Sequence, residues 1–398
     1  MFIPDSGNDG DRHAHALAVR FDDNRRKWAR INLNGADGEN PFQPERPDRS
    51  SASLSAALRA VGIRFTQSYH MVTHLPQYPQ RLALAHLPTP LEKLERLSKY
   101  LGGPELWIKR DDQTGLANGG NKARKLEFLL ADALAQGCDH IVTTGAPQSN
   151  HCRQTAAAAA HCGLGCSLVL RGLAPANPNG NILLDRLLGA HLYWPGDQSP
   201  ADRATQVMEE LRAMGRKPYF IPLGGSNVLG ATAYVLAMQE LTAQLTELNS
   251  KIDFIVFASS SGGTQAGIVL GAQVYAFSGR VLGISVDHSA DYLTAQVGAL
   301  ATATAAHLGL DPLPLADRVE VNDDYLGEGY AVLGAPEREA IQLMAQSEGI
   351  LLDPVYTGRA MAGLIDLIRW GAFTRRQTVL FWHTGGTPAL FAYADRLI

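Results

Sequence analysis

The sequence predicts an α/β protein in which parallel sheets are flanked by helices and two domains face each other across a cleft. Three observations carry this. From about Leu87 onward, short apolar runs alternate with longer stretches of helical spacing, the pattern of strands buried on both faces and joined by crossover helices. There are more of these units than one ordinary sheet holds, which divides them between two sheets. Glycine-rich turns recur just after predicted strands, at the edge where open α/β sheets take their ligands.

The elements follow in order. Strands are expected at Leu106–Lys109, His140–Thr144, Ser167–Leu170, His191–Trp194, Tyr219–Pro222, Phe254–Ala258, Val281–Val286 and Thr378–Trp382. Between them, helices are expected at Leu126–Gln136, closed by Gly137, and at Asn150–His161, closed by Gly163. Further helices are expected at Ile182–Leu188, Ala201–Met214, Ala231–Leu245, Thr264–Phe277, Ala290–His307 and Pro336–Ser347, with a last short one after Pro388. The alanines of 156–160 are strong helix formers and offer a close-packing face.

Composition narrows the function. The 398 residues are 45% hydrophobic and 19% charged, with a net charge of -4, an ordinary globular balance. No basic block points to nucleic acid, and no apolar run reaches bilayer length. Cys138, Cys152, Cys162 and Cys166 lack the paired spacing of a zinc site. They read as buried thiols in a reducing compartment, with no metal expected. The start of the chain lacks a charged-then-apolar signal, so the expected location is the cytoplasm.

Residues 1–70 differ from the rest, being rich in Asp, Asn, Arg, Gly and Pro. One short helix is expected at Ala52–Val61, with the remainder disordered or loosely attached. Arg20, Arg25, Arg26 and Arg30 hint at a transit peptide, but Asp5, Asp9, Asp11, Asp22 and Asp23 oppose it. Met71 reads as an ordinary start.

The chemistry is organised around Gly119-Gly120-Asn121-Lys122-Ala123-Arg124-Lys125. Lys122 stands where a glycine turn becomes a helix. Desolvation and the charges of Arg124 and Lys125 are expected to lower its proton affinity. A neutral amine is a nucleophile suited to Schiff-base chemistry. Ser259-Ser260-Ser261-Gly262-Gly263-Thr264 follows a strand and opens a helix, the arrangement of a phosphate cradle. It is neither a Walker loop nor a dinucleotide fingerprint. Gly145-Ala146-Pro147-Gln148-Ser149-Asn150-His151 has the same setting; Ser149 reads as a helix cap or, with Asn150 and His151, as a carboxylate site. Thr384-Gly385-Gly386, Gly224-Gly225-Ser226-Asn227, Tyr325 and Asp353-Pro354-Val355-Tyr356-Thr357-Gly358 lie on further loops.

Together with Pro88-Thr89-Pro90-Leu91 and Ile108-Lys109-Arg110-Asp111-Asp112, these stretches resemble the D-cysteine desulfhydrase/1-aminocyclopropane-1-carboxylate (ACC) deaminase family over about Leu84 to Tyr393. The resemblance implies a two-domain, fold-type-II pyridoxal-phosphate enzyme, tryptophan-synthase-β-like. Residues 71–122 and 233–398 would form the large cofactor domain, and 123–232 the small one. Lys122 would hold pyridoxal 5'-phosphate as a Schiff base. Ser261, Gly262, Gly263 and Thr264 would take the phosphate, Asn150 the ring hydroxyl and Thr384 the pyridine nitrogen. Ser149, Asn150, His151, Tyr325, Tyr356 and Thr357 would surround a small amino-acid substrate, with Lys122, Ser149, Tyr325 and Tyr356 catalytic. A homodimer is implied.

ACC deaminases look like Tyr-Glu-Gly where this chain has Tyr356-Thr357-Gly358. A threonine stabilises a protonated ring less than a glutamate does. The leading expectation is therefore β-elimination from D-cysteine, giving pyruvate, sulfide and ammonia. L-cysteate sulfo-lyase and ACC deaminase are the alternatives. Arg359 stands where the resembling desulfhydrases tend to carry lysine. From other classes, a non-catalytic two-lobed binding protein would not need Lys122, and a nicotinamide dehydrogenase would need a glycine fingerprint that is missing.

Overall fold

Strand after strand in this chain is apolar on both sides, and the two-residue period divides each one between two cores. In the computed structural model, which describes residues 75–313 and 315–398, β7 (Phe254–Ser259) sends Ile255 and Phe257 to one face and Phe254 and Val256 to the other. The strand β10 (Thr378–His383) does the same with Leu380 and Trp382 against Val379 and Phe381. Each fully buried side chain of this kind contributes about 1.5–3 kcal/mol. All described residues belong to one compact unit.

The larger sheet runs β1-β2-β10-β7-β8-β9, adding β1 (Leu91–Lys93), β2 (Glu105–Arg110), β8 (Arg280–Ser285) and β9 (Glu320–Asn322). Its neighbours are parallel, except that β1 lies antiparallel to β2 with Leu91 opposite Lys109. The sheet is therefore parallel except at this one edge strand. Residues 94–104 hold only the short helix α1 (Glu95–Leu101), too little chain for a parallel crossover, which takes about a dozen residues or more. The smaller sheet runs β5-β4-β3-β6 and is wholly parallel. Its strands are β3 (His140–Gly145), β4 (Gly165–Leu170), β5 (His191–Tyr193) and β6 (Pro218–Ile221).

Helices cover both sheets. On the smaller sheet, α2 (Lys122–Ala135) and α3 (Asn150–His161) pack on one face through Leu126, Leu129, Cys152 and Ala156. Beyond α4 (Gly180–Leu187), α5 (Pro200–Ala213) closes the other face with Val207 and Met208 against Val142 and Val169. On the larger sheet, α6 (Val228–Glu247), α7 (Gly263–Val274) and α8 (Ala290–His307) share the Trp382 face. Behind the Phe381 face lie α9 (Ala335–Glu348) and α10 (Thr357–Arg369). A 3-10 turn at Thr387–Tyr393 leads to the last helix, α11 (Ala394–Leu397).

Most expected elements lie within a few residues of these bounds. Four had no expectation: β1, α1, β9 and α10. The last matters most. Its opening residues, read as a loop, are the first turn of a helix buried along nearly its whole length. The expectations for Ala52–Val61, for residues 1–70 and for a start at Met71 lie outside the described residues. No described helix is long and apolar enough to cross a membrane. Among the described residues no group of His, Cys, Asp and Glu is arranged to hold a metal.

Candidate active site

The turns that follow the strands of both sheets converge on Lys122. This lysine opens α2, whose N-cap residue supplies no side-chain cap. The cap comes from α3 instead: the Gln154 side-chain oxygen accepts a hydrogen bond from the Ala123 amide at 2.8 Å. Beside it, Arg153 donates from Nη2 to the Gly119 carbonyl at 2.9 Å. Two adjacent side chains thus hold the backbone on either side of Lys122. Asn121 ties the same turn to two other loops, its amide donating to Thr384 O at 2.9 Å and its Nδ2 to Thr264 Oγ1 at 3.1 Å.

The Lys122 amine is partly open to the cleft, yet it is enclosed by protein on most sides. It donates to Gly224 O at 3.3 Å, and Lys125 donates to the same carbonyl at 3.1 Å. Burial pushes the Lys122 amine down to about 8, an effect partly offset by the hydrogen bond with Lys125. Burial, followed by the Lys122 charge, also holds Lys125 well below the ordinary lysine range. Arg124 plays no part in this, contrary to expectation. It turns away to a buried network, donating to Asp111 at 2.8 Å and Glu240 at 2.9 Å. Those two carboxylates balance both Arg124 and Lys109, and Lys125 raises the proton affinity of Lys122 through its hydrogen bond, so the expected lowering comes from burial and from neither neighbouring charge.

The serine-glycine loop lies on the far side of Gly224. Ser261 Oγ pairs with Ser226 Oγ at 2.8 Å, and the Gly263 amide donates to Ser226 Oγ at 3.2 Å. Lys125 Nζ reaches the same Ser226 hydroxyl at 3.3 Å. A Cβ on Gly263 would lie 2.6 Å from that hydroxyl and 2.9 Å from Lys125 Nζ. The start of α7 therefore brings the Gly263 amide, two serine hydroxyls and the buried Lys125 amine together, a donor set that suits an anion. Thr264 is buried at its edge, tied to Asn121.

The third wall is the start of α3. Ser149 caps the helix, its Oγ accepting from the Cys152 amide at 3.1 Å. Asn150 accepts from Asn181 Nδ2 at 2.9 Å, while its own Nδ2 faces Gly386, where a Cβ would lie 2.8 Å away. His151 is buried against Thr143 at 2.9 Å. Thr143 gives its own proton to Ile221 O, so Nε2 of His151 is the donor, leaving Nδ1 without a partner. Burial, then the charges of Lys122 and Lys125, hold this imidazole well below the ordinary histidine range, so it is neutral.

The last wall comes from the larger sheet. Asp353 accepts from the amides of Val355, Tyr356 and Thr357 and caps α10. A Cβ on Gly386 would meet the Asp353 carboxyl carbon at 2.7 Å, so Tyr356 stands next to the Thr384-Gly385-Gly386 turn. The Tyr356 hydroxyl meets that of Tyr330 at 2.6 Å, with the rings edge to face. Burial pushes Tyr330 up to about 12 and Tyr356 well above the ordinary range, so both phenols keep their protons.

Two expected residues are placed otherwise. Tyr325 donates to Asp366 at 2.7 Å and packs on Gly363. Asp366 lies nine residues beyond Thr357, about 13 Å along the helix, so Tyr325 faces away from the cleft, and the loop tyrosine that meets Tyr356 is Tyr330. The Thr357 hydroxyl is spent locally, donating to Asp353 Oδ1 at 2.7 Å and accepting from the Asp353 amide. Sequence reasoning missed Tyr330 and Gln154. The glycines around Tyr330, at 327 and 329, were the available signal; for Gln154 only its place one turn into the helix could have spoken. A separate hollow of about 400 Å³, lined by Phe254, Arg280 and Glu320, opens at the opposite, amino ends of β7 and β8 and includes none of these residues.

A partly enclosed amine and an anion site, meeting around Gly224, fit a cofactor with an aldehyde and a phosphate. The family described as "Pyridoxal-phosphate dependent enzyme" matches residues 82–385. D-cysteine desulfhydrase of Yersinia pestis (strain Pestoides F) is 46% identical over 326 residues, covering 80% of this chain and 97% of that protein. D-cysteine desulfhydrase of Klebsiella pneumoniae (strain 342) is 46% identical over 330 residues, covering 81% and 99%. Among solved structures, an ACC deaminase homologue superposes with a TM-score of 0.73 at 36% identity, covering 87% of this chain and 99% of its own. A hydrogen sulfide-producing enzyme from Fusobacterium nucleatum, at 16% identity and a TM-score of 0.54, covers 77% and 97% and shares the fold. The chain belongs to the pyridoxal-phosphate dependent enzymes of fold type II, in the family that holds the D-cysteine desulfhydrases and ACC deaminases.

Proposed function

We propose that the chain is a D-cysteine desulfhydrase, converting D-cysteine and one water to pyruvate, sulfide and ammonia. The observation that carries this is the 46% identity to D-cysteine desulfhydrases along nearly their whole length. Pyridoxal phosphate supplies an aldehyde that condenses with amines and a ring that accepts electrons from a substrate carbon. The protein's own part is binding, orientation and proton transfer. Lys122 would hold the aldehyde and, as a free amine, would take the Cα proton; its lowered proton affinity suits that task. The amides of 261–264 grip the phosphate, with Lys125 beside them. Asn150 and Thr384 orient the ring. Ser149, Asn150 and His151 receive the substrate carboxylate, the neutral imidazole adding no competing charge. The paired hydroxyls of Tyr356 and Tyr330 would face the departing sulfur, and one of them would supply its proton.

ACC deamination is the second reading, favoured by the structural match to an ACC deaminase homologue. Against it, the Thr357 hydroxyl is engaged by Asp353. The proposal includes a large domain of residues 71–122 and 233–398 and a small one of 123–232, supported by the smaller sheet drawing all its strands from 140–221. It also includes a cytoplasmic homodimer.

The test is an assay of sulfide and pyruvate release from D-cysteine, L-cysteine and L-cysteate, with 2-oxobutyrate release from ACC alongside. D-cysteine should be the preferred substrate, and Lys122→Ala should lose both turnover and the visible absorption that borohydride removes. Preference for ACC, or turnover retained by Lys122→Ala, overturns the reading.

A further inference from the structure

We propose that Arg359 is the positioning residue that holds Tyr330 against Tyr356, and so sets the wall of the cleft that selects the substrate's β-substituent. This rests on the reading of the Tyr330–Tyr356 pair as part of the substrate site.

The loop from Asp323 to Gly334 has no helix or strand of its own. Tyr330 sits within it, and its neighbour Ala331 has φ +63°, a left-handed backbone that costs a non-glycine residue free energy and persists only where the surroundings enforce it. The enforcement comes from one buried guanidinium. Arg359 Nη1 donates to Gly329 O at 3.0 Å and Nη2 to Val332 O at 2.9 Å. These carbonyls flank Tyr330-Ala331, so the fork grips the loop on both sides of the tyrosine. Nη1 also donates to Val286 O at 2.9 Å, just past the end of β8. Nε donates to Glu337 Oε1 at 2.7 Å, whose other oxygen accepts from the Gly334 amide where the loop ends. Between the two held carbonyls, Ala331 O accepts from the Tyr393 hydroxyl at 2.9 Å.

The geometry links this clamp to the site. Arg359 stands one turn after Tyr356, so the helix start that presents one phenol also carries the group that fixes the other. With the loop held, the two hydroxyls meet at 2.6 Å. A lysine would preserve the charge and the pairing with Glu337. It lacks the planar fork, however, and so does not bridge carbonyls on both sides of the tyrosine.

The alternative is a purely structural ion pair, and a double-mutant cycle separates the two. Arg359→Lys, Tyr330→Phe and the double variant are compared as holoenzymes on D-cysteine and S-methyl-D-cysteine. The expected result is a loss of about tenfold in kcat/KM for D-cysteine on Arg359→Lys in the wild-type background, and a much smaller loss once Tyr330 is Phe, the non-additivity of residues acting as one unit. Discrimination against the methylated substrate should relax in each variant. Independently of turnover, hydrogen exchange should quicken in Arg359→Lys across 323–334 and not in α9 or α10. Tyr393→Phe, which frees only the Ala331 carbonyl, should show the same signature in milder form should Arg359→Lys fold poorly. Equal losses in both backgrounds, or faster exchange throughout α9 and α10, overturn the proposal. Absence of any sulfide release by the unmutated protein overturns the desulfhydrase reading instead, while the exchange pattern still decides the clamp.

Discussion

Gln154 on α3 caps α2 from outside, its side-chain oxygen 2.8 Å from the Ala123 amide, next to Lys122. A helix start without its own capping side chain therefore depends on a residue from another element. Gln154→Leu should remove that bond and cost about 1–2 kcal/mol, the range of a lost cap. Because the lost bond adjoins Lys122, turnover should fall further than this loss of stability would suggest. Thermal melts beside steady-state rates check both; unchanged rates in a destabilised variant would confine Gln154 to folding.

Cofactor loading should depend on pH in a definite direction. The amine must be neutral to condense with an aldehyde, and burial brings Lys122 down to about 8. The rate at which apoprotein takes up pyridoxal phosphate should rise with pH up to about 8, by about tenfold per unit well below it, and level off above. Stopped-flow absorbance measures this. A rate still climbing steeply at pH 10 would mean that the amine keeps an ordinary proton affinity.

The cradle at Gly263 has no room for a methyl group. Gly263→Ala brings a Cβ within 2.6 Å of Ser226 Oγ and 2.9 Å of Lys125 Nζ, so the anion site must distort. Pyridoxal phosphate affinity should drop by about tenfold to a hundredfold, or about 1.4–2.7 kcal/mol. Equilibrium titration of the apoprotein tests it, with pyridoxal lacking the phosphate as control. The control should be affected far less.

Arg124→Met should be among the most damaging changes outside the cleft. It strips the buried Asp111 and the partly buried Glu240 of their main partner, and breaking such a network from one side costs about 3–5 kcal/mol. Burial raises both carboxyls, but Arg124 and Lys109 outweigh it and hold them below the ordinary range. A depressed carboxyl gives stability above its unfolded value, near 4, and loses it as pH falls through the folded one. The unmutated protein should therefore be destabilised by acid below about pH 4, and Arg124→Met should already be weak at pH 7. Denaturant melts across pH decide it.

Much of this was legible in the chain itself. Alternating apolar strands and helices with glycine turns between them determined the α/β class and most element bounds, and marked Lys122 as a candidate, because these depend on neighbours a few residues apart. The structure decided what depends on distance through space. Arg124 and Lys125, one residue apart in sequence, take opposite roles because one meets Asp111 and Glu240 and the other meets the carbonyl shared with Lys122. Tyr325 and Tyr330 look alike as loop tyrosines, but only the latter is brought to Tyr356, since the former finds Asp366 two turns along α10. Local periodicity determines which residues form an element; the partner a buried polar group finds is set by the packing of elements far apart in the chain, and only the folded arrangement reveals it.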